Sequence, residues 1–307
     1  MSRFLAYSDL QMSGQRPEHR IDNFSESLLV KLEETYRLAI EKGVDFVVFM
    51  GDFFNSHRIF NYEIINSVMD IICSSRLTTY AIVGQHDTVG YNPDSYRSST
   101  LNFMERHCPR FETMWEPKEF DDVVLYPCHC YDEFLPAFQK PITRKKKSIL
   151  VAHHLITRNT VPFETYLLED FLPCKYSAVI FGDFHFGMRP YYDENETLVW
   201  SPGALARQAI NEKTRVVRVG VVEVNLGKRV EVEEIQLNNV RSGDEVFAKT
   251  LLEEIRERPE MVDTSEFVQS IRELEATSED IFDMLEKAAK KRKVRKPVIN
   301  YILAKRA

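Results

Sequence analysis

Five short β-rich runs in this chain each end in a group of polar side chains of the kinds that bind metal ions. The runs alternate with helical patterns over roughly the first 240 residues, which is typical of an α/β fold. In such folds the ligand site lies at the carboxyl ends of the strands. The five groups are Ser8-Asp9-Leu10-Gln11, Gly51-Asp52-Phe53-Phe54-Asn55, Gly84-Gln85-His86-Asp87, Ala152-His153-His154 and Gly182-Asp183-Phe184-His185. We therefore predict one site that is assembled from five loops.

The order of the five groups supports a metal site more than any single group does. A lone Asp after a strand is usually a turn residue or a helix cap, and a lone His there usually makes structural hydrogen bonds. Five such coincidences in one chain are poorly explained by turns alone. We therefore interpret Asp9, Asp52, His86, His153 and His185 as parts of one metal centre.

Strands and helices are predicted from apolar runs and from helical spacing. The predicted strands are Arg3–Ser8, Val44–Met50, Thr78–Val83, Val123–Tyr126, Ser148–Ala152, Ala178–Phe181 and Leu198–Trp200. The predicted helices are a segment from Asn23 or Ser25 to Gly43, Tyr62–Cys73, Arg97–Arg106 and Glu164–Asp170. Two later runs, Val216–Val224 and Arg229–Gln236, flank a turn and predict a β-hairpin.

The character of the sequence changes after Ser242-Gly243. Asp244–Arg258 and Ser265–Lys291 are charged and helical in pattern, and the basic stretch Lys290–Lys296 follows. We therefore predict a large α/β domain over residues 1–240 and a helical, basic region over residues 241–307. An incomplete apolar stripe in Ser265–Lys291 fits either the groove of a partner or packing on the chain's own domain.

Composition restricts the class of protein. The net charge of −7 means that nucleic-acid binding would depend on local basic patches or on metal ions. Five scattered cysteines favour reduced thiols, and Cys128-His129-Cys130 lacks the spacing of common zinc sites. No apolar run approaches the roughly 20 residues that span a bilayer, and the N-terminus lacks a signal-peptide layout. We expect a cytoplasmic protein without membrane contact, in a bacterial cell or in the host cell of a phage.

The five groups resemble the motifs of the calcineurin-like metallophosphoesterase superfamily: D-x-H, G-D-x-x-D, G-N-H-D, a lone His and G-H-x-H. A narrower resemblance, to the SbcD-type DNA-repair nucleases, rests on the segments that flank these motifs. They are Arg16-Pro17-Glu18-His19-Arg20, Gly90-Tyr91-Asn92, Trp200-Ser201-Pro202-Gly203-Ala204, Arg207 and the hairpin. The resemblance covers about residues 1–240. It implies an α/β fold with a four-layer β-sandwich flanked by helices, and a short helical C-terminal region that is a reduced cap, a docking element, or both.

The resemblance also implies two divalent metal ions that share Asp52. One ion would be held by Asp9, Gln11, Asp52 and His185, and the other by Asp52, Gln85, His153 and Asp183. The chain departs from the family pattern at four positions: Gln11 and Asp183 replace His, Gln85 replaces Asn, and Asn55 replaces Asp. Such oxygen-rich ligands favour Mn²⁺, with Mg²⁺ as the alternative, over zinc. Either His153 or His154 fits the lone-His motif, and we favour His153.

By the same resemblance the chain is expected to be a two-metal DNA nuclease, an exonuclease with some endonuclease action. It would work with an SbcC-type coiled-coil ATPase in DNA repair, recombination or replication, and would form a homodimer. His86 would stabilise the charge on the pentacovalent phosphorus or protonate the leaving oxygen, and Asp87 would orient its imidazole.

Basic residues of the large domain are candidates for contacts with the DNA backbone. They are Arg16, Arg20, Arg58, Arg97, Arg189 and Arg207. Two alternative functions stay open. The substitutions at Gln11, Gln85 and Asp183 fit a structural subunit of the same complex with little or no activity. The motifs alone also fit a phosphatase or a cyclic-nucleotide phosphodiesterase that acts on small molecules.

Overall fold

The computed structural model describes residues 1–138, 142–143, 145–161 and 164–248. Its first compact unit is Met1–Ala248, and the division that we predicted at residue 240 stays a prediction. The predicted helix Ser265–Lys291 and the basic stretch Lys290–Lys296 lie outside the described residues. Of the predicted helix Asp244–Arg258, the structure describes only the beginning, as part of the short helix Gly243–Val246.

The strands form two six-stranded sheets whose central strands are parallel. The first sheet has the order β14-β13-β1-β2-β3-β4 and the second has the order β11-β12-β10-β7-β6-β5. The first sheet consists of β1 (Ser2–Tyr7), β2 (Phe46–Phe49), β3 (Thr79–Ala81), β4 (Phe111–Thr113), β13 (Arg218–Val224) and β14 (Glu231–Gln236). The second consists of β5 (Lys118–Glu119), β6 (Val123–Cys128), β7 (Lys147–His153), β10 (Ala178–Gly182), β11 (Met188–Tyr192) and β12 (Leu198–Ser201). A small parallel pair joins β8 (Ile156–Thr157) to β9 (Tyr166–Leu167).

The helices flank the two sheets. They are α1 (Phe24–Glu41), α2 (Tyr62–Ser74), α3 (Thr100–His107), α4 (Phe134–Ala137), α5 (Leu168–Phe171) and α6 (Gly243–Val246). Short 3₁₀ turns occupy Gln85–Asp87, Pro93–Ser98 and Ile210–Glu212. No helix among these described residues is long and apolar enough to cross a membrane.

Three apolar cores separate four layers, as the resemblance implied. The first core packs buried residues of α1 to α3, such as Leu28 and Leu32, on one face of the first sheet. The second lies between the sheets, where the Phe46 ring stacks on Phe4 and Phe120 with centroids 5.2 and 4.0 Å away. The third covers the outer face of the second sheet. Because each fully buried large apolar side chain contributes roughly 1.5–3 kcal/mol, these cores fix the positions of the strand ends.

Helix α1 shows how local sequence fixes one element. Asn23 accepts a hydrogen bond from Glu26 N at 3.3 Å and is the N-cap, whereas Ser25 Oγ donates to Ser13 O. Gly43 ends the helix with a φ of 61°, which glycine adopts without strain. Apolar residues recur at helical spacing along this helix: Leu28, Leu32 and Tyr36 are buried, whereas Ile40, four residues later, is 55% exposed.

The predicted strands and the hairpin are confirmed, with ends that shift by a few residues. The predicted helix Glu164–Asp170 is wrong in its first half, because Tyr166–Leu167 pairs with Ile156–Thr157 as a strand. The predicted helix Arg97–Arg106 begins later, since Ser99 is its N-cap. All five cysteines lie in the described residues, and none of them forms a disulfide there.

Candidate metal centre

The carboxyl ends of four parallel strands, two from each sheet, meet at one edge of the sandwich. Asp9 follows β1 and Asp52 follows β2, while His153 ends β7 and Asp183 follows β10. Two backbone hydrogen bonds join the loops of the first sheet: Asp9 N donates to Gly51 O at 3.1 Å, and Gln11 N donates to Asp52 O at 3.0 Å. The loops that sequence analysis singled out therefore form one continuous surface.

The backbone of this surface is unusual. Asp9, Gln11, Asp52 and Asp183 all have left-handed φ angles, of 49°, 45°, 59° and 76°. Each such angle at a residue other than glycine costs about 1–3 kcal/mol, and such residues cluster at functional sites. Here the left-handed turns direct three carboxylates and an amide toward one another, which an extended chain would not do.

Three of the predicted ligands converge on one point. Ligand atoms of Asp9, Asp52 and His153 all lie within 4.8 Å of one another, and all three residues are buried. His153 Nδ1 donates to Met50 O at 2.5 Å, so that Nε2 faces Asp52 Oδ1 at 3.5 Å. Asp9 Oδ1 and His153 Nε2 are buried and make no hydrogen bond within the described residues. Buried acceptors of this kind fit a divalent cation, because a metal ion satisfies atoms that no donor reaches.

Glycine leaves the room that these ligands need. A Cβ atom on Gly84 would lie 2.1 Å from Asp52 Oδ1, and one on Gly182 would lie 2.2 Å from Ser8 Oγ. Both glycines stand in the predicted motifs, directly before the ligand positions Gln85 and Asp183. Any larger residue there would push the ligand loops apart.

The other predicted ligands lie around this cluster. His185 Nε2 is 3.8 Å from Asp9 Oδ1 and 3.1 Å from Gln11 Nε2. Gln85 Nε2 donates to Asp183 Oδ1 at 2.7 Å, and Asp183 N donates to Asp9 Oδ2 at 3.1 Å. All seven predicted metal ligands therefore lie at this edge, with both glutamine amides directed at acidic or imidazole groups of the site.

Comparison with known proteins identifies the family. The sequence model of the calcineurin-like phosphoesterases matches residues 2–187, more than half of the chain. The chain belongs to the calcineurin-like phosphoesterase family. Membership implies metal-dependent hydrolysis of phosphoesters, which is the chemistry that the buried ligand cluster suits.

Solved structures of other proteins are similar to this chain. A dimetal phosphatase from Danio rerio is 12% identical, with a TM-score of 0.50 over 76% of this chain and 98% of that chain. The TT1561 protein of Thermus thermophilus is 13% identical, with a TM-score of 0.47 over 78% and 99% of the two chains. Yfce, a phosphoesterase from E. coli, is 14% identical, with a TM-score of 0.40 over 77% and 100%. At these identities the likeness concerns the fold alone. No curated protein sequence matches the chain.

The charges of the phosphoesterase site are strongly coupled. Burial raises the pKa of Asp9 above its ordinary value. Burial also opposes the ionisation of Asp52, but His153 and His86 outweigh it and lower the Asp52 pKa. Burial likewise disfavours the charged form of His153, yet Asp52 and Asp9 raise its pKa well above the ordinary value. The raised pKa of His153 shows that the neighbouring carboxylates favour a positive charge at this point, which a divalent cation would supply.

His86 lies at the open side of this site. Its backbone N donates to Asp52 Oδ1 at 2.8 Å, and its Nε2 lies 3.7 Å from Asp52 Oδ2. The side chain is 42% exposed, in contrast to the buried ligands. An imidazole in this position can reach both the ligand cluster and a substrate that arrives from solvent.

Asp87 makes different contacts from those that we predicted. Its carboxylate is buried and accepts hydrogen bonds from the backbone N atoms of Gly84, Asp52 and Phe53 at 3.0, 3.0 and 3.1 Å. Burial is the main reason that its pKa is raised to about 7. Asp87 therefore ties the third motif to the second through the backbone, and an orienting contact with the His86 ring stays a prediction.

Glu212, which was not predicted, supports His185 through the ring nitrogen that faces away from the metal centre. Glu212 Oε1 lies 2.9 Å from His185 Nδ1, and Oε2 accepts from the backbone N atoms of Gln208 and Ala209 at 2.6 and 3.0 Å. Burial opposes its ionisation, but the hydrogen bond from His185 prevails and lowers the Glu212 pKa to about 2. Glu212 is 27 residues from His185, and no local pattern marks it.

Two of the predicted DNA-contacting arginines are structural instead. Arg20 is 1% exposed, pairs with Asp22 at 2.6 Å and donates to Arg207 O at 2.7 Å. Arg207 is 4% exposed and donates to Lys213 O and Arg241 O. Because both guanidinium groups are already bonded inside the protein, they are unavailable to a DNA phosphate.

Proposed function

We propose that this phosphoesterase is a DNA nuclease that uses two divalent ions, Mn²⁺ or alternatively Mg²⁺. The buried cluster of Asp9, Asp52 and His153, in which two buried atoms make no hydrogen bond to any described part of the chain, is the observation that carries the metal centre. The narrower DNA assignment is supported by the SbcD-like segments that flank the motifs. The proposed ligands are those predicted from sequence: Asp9, Gln11, Asp52 and His185 would hold one ion, and Asp52, Gln85, His153 and Asp183 would hold the other.

Each residue of the site has a distinct part in the proposed mechanism. Bound divalent ions would supply the Lewis acidity that activates a water molecule and holds the phosphodiester for in-line attack. Asp9, Asp52 and His153 would hold metal at the base of the site, where burial excludes bulk water. His86, exposed beside Asp52, stabilises the charge that develops on phosphorus or donates a proton to the leaving oxygen.

Affinity for DNA would come from the exposed basic side chains that remain after Arg20 and Arg207 are set aside. These are Arg16, Arg58, Arg97 and Arg189, which are exposed to solvent. Contacts with phosphates from such residues give affinity without sequence reading. We further propose that the nuclease works as a homodimer with an SbcC-type coiled-coil ATPase in DNA repair, recombination or replication.

One observation favours a second candidate, a structural subunit with weakened catalysis. Gln85 directs its amide nitrogen at Asp183, and Gln11 directs its amide nitrogen at Asp52 and His185. An amide N–H group is not a ligand for a cation. A weakly active protein would still keep the fold and the docking surfaces.

A cleavage assay with the full-length chain tests the proposal. Single- and double-stranded DNA are incubated with Mn²⁺, Mg²⁺ or Zn²⁺, with and without the partner ATPase. We expect cleavage with Mn²⁺, a loss of at least about 10⁴-fold for Asp52→Ala together with loss of metal binding, and a loss of about 10²–10³-fold for His86→Ala with metal binding retained.

His107→Ala is the matched control, because His107 is exposed on α3 and makes its ring contact with Phe103. It should cleave like the wild type. Absence of cleavage under every condition, with Mn²⁺ still bound, would support the structural subunit. Full activity of His86→Ala would show that the role given to His86 is wrong.

A further inference from the structure

Three side-chain amides form a chain that ends at the candidate metal centre. Gln208 Nε2 donates to Gln11 Oε1 at 2.6 Å and to Asn55 Oδ1 at 3.1 Å. Gln11 Nε2 lies 3.4 Å from Asp52 Oδ2 and 3.1 Å from His185 Nε2. Gln208 therefore connects Gln11 and Asn55, two of the positions at which the chain departs from the motifs of its family.

The chain of amides is held in place at both ends. Gln11 is 2% exposed, so that water has little access to its amide. The backbone N of Gln208 donates to Glu212 Oε2 at 2.6 Å, and the backbone N of Asn55 donates to Met12 O at 3.0 Å. These backbone contacts fix where the Gln208 and Asn55 side chains begin but do not themselves set the direction of either amide.

The direction of each amide determines that of the next. An amide has a donor end and an acceptor end, and each hydrogen bond needs one of each. When Gln208 presents its N–H group, Gln11 must present its oxygen to Gln208 and its nitrogen to the centre. When Gln208 presents its oxygen, both Gln11 and Asn55 must turn their nitrogens toward it. The same atoms therefore allow two consistent arrangements.

The two arrangements differ in what they offer to a cation. We call an arrangement nitrogen-inward or oxygen-inward after the Gln11 amide atom that points to the metal centre. In the nitrogen-inward arrangement, Gln11 donates toward Asp52 and His185 and so satisfies acceptors that a metal would otherwise bind. In the oxygen-inward arrangement, Gln11 Oε1 faces Asp52 Oδ2, and the two oxygens repel each other unless a cation lies between them. An amide oxygen is a good ligand for hard divalent ions.

We propose that Gln208 is a positioning residue that, together with Asn55, sets whether Gln11 presents its nitrogen or its oxygen to the metal centre. This inference rests on the metal centre of the proposed function. Metal binding and the reversal of the three amides are then coupled. The oxygen-inward arrangement binds the ion more tightly, and a bound ion stabilises that arrangement by the same free energy.

Two substitutions force the amides into opposite arrangements and add the same charge. Asn55→Asp leaves only acceptors at position 55, so Gln208 must keep its N–H group there and Gln11 stays nitrogen-inward. Gln208→Glu leaves only acceptors at position 208, so Gln11 must turn its nitrogen outward and its oxygen inward. Charge alone would make both variants bind a cation more tightly.

Mn²⁺ titrations of the full chain, by calorimetry and by electron paramagnetic resonance, measure the effect. We expect Asn55→Asp to weaken Mn²⁺ binding by about tenfold and Gln208→Glu to tighten it by about tenfold. Gln208→Met, which removes the amide, should fall between the two. Shifts of both acidic variants in the same direction, or no shift in either, would overturn the proposal.

Thermal unfolding in a chelator separates failure of this proposal from failure of the metal centre. Without metal, Asn55→Asp should melt close to the wild type. Gln208→Glu should melt about 5 °C lower, because Gln11 Oε1 then faces Asp52 Oδ2. If the wild type bound no Mn²⁺, the proposed metal centre would be wrong. The difference in melting temperature between the two variants would still test whether Gln208 sets the direction of the Gln11 amide. Equal melting temperatures of the two variants would overturn the proposed role of Gln208.

Discussion

His153 and His154 are neighbours at the end of one strand, yet they lie in opposite surroundings. His153 faces the space between the sheets, where Nδ1 donates to Met50 O and Nε2 faces Asp52. His154 faces the outer layer, where Nε2 donates to His129 O at 3.1 Å and the ring centroid is 5.2 Å from that of Phe134. Alternation along a strand places the two side chains on opposite faces of the sheet.

The two faces give the same side chain opposite charge preferences. On the inner face, carboxylates raise the pKa of His153 although burial opposes this. On the outer face, burial and, secondarily, repulsion from His153 lower the pKa of His154 to about 4. The inner face is therefore suited to cations, and the outer face keeps an imidazole neutral. Surroundings, rather than residue type, decide which histidine is available to a metal.

The largest expected effect comes from removing each histidine in turn. His153→Ala should weaken Mn²⁺ binding at least about 100-fold and reduce phosphodiester cleavage by about 10³-fold, because a buried ligand beside Asp52 is lost. His154→Ala should leave cleavage within about threefold of the wild type and lower stability by about 1–3 kcal/mol, since the imidazole is lost together with its packing on Phe134 and one of the two hydrogen bonds to the His129 carbonyl. Calorimetric Mn²⁺ titration and denaturant unfolding measure the two effects. If His154→Ala also lost metal, the contrast between the two faces would be broken.

Sequence patterns alone predicted most of this geometry but not the choice between the two histidines. The strands β1, β2, β7 and β10 were predictable from apolar runs, and their polar ends indicated a shared site. The direction of each side chain depends on the register of the strand, and a shift of one residue would exchange the two histidines. The motif therefore left the choice open, although His153 was favoured.

Contacts made by segments that carry no motif could not be predicted. Strands of two or three residues, such as Phe111–Thr113, exist because a neighbour pairs with them, here Thr79–Ala81. Glu212 and Gln208 likewise reach the site from a loop that carries no motif of its own. Local propensity carries no information about such partners.

We expect a smaller effect from changing the carboxylate that supports His185. Glu212 accepts from His185 Nδ1, as the Met50 carbonyl accepts from His153 Nδ1. Glu212→Gln keeps the size of the side chain but removes the charge that fixes the His185 imidazole. We expect Mn²⁺ affinity and kcat/KM to fall together by about tenfold. Glu194→Gln, on an exposed turn, is the control and should change neither quantity. A normal Mn²⁺ affinity in Glu212→Gln would show that His185 needs no support from this carboxylate.

The smallest effect concerns pH and the outer face alone. The pKa of His154 is about 4 in the folded protein and 6.5 ordinarily, so the unfolded chain binds the proton more tightly. The stability contributed by neutral His154 is therefore complete above pH 6.5 and is lost as the pH falls from 6.5 to 4, by at most about 3 kcal/mol. In His154→Gln, the amide can still donate to His129 O but does not titrate, so this loss should disappear. Urea unfolding of both proteins in a chelator, between neutral pH and pH 4.5, measures the difference. Parallel pH profiles would mean that folding leaves the pKa of His154 unchanged, and the two faces would then not differ in the way described.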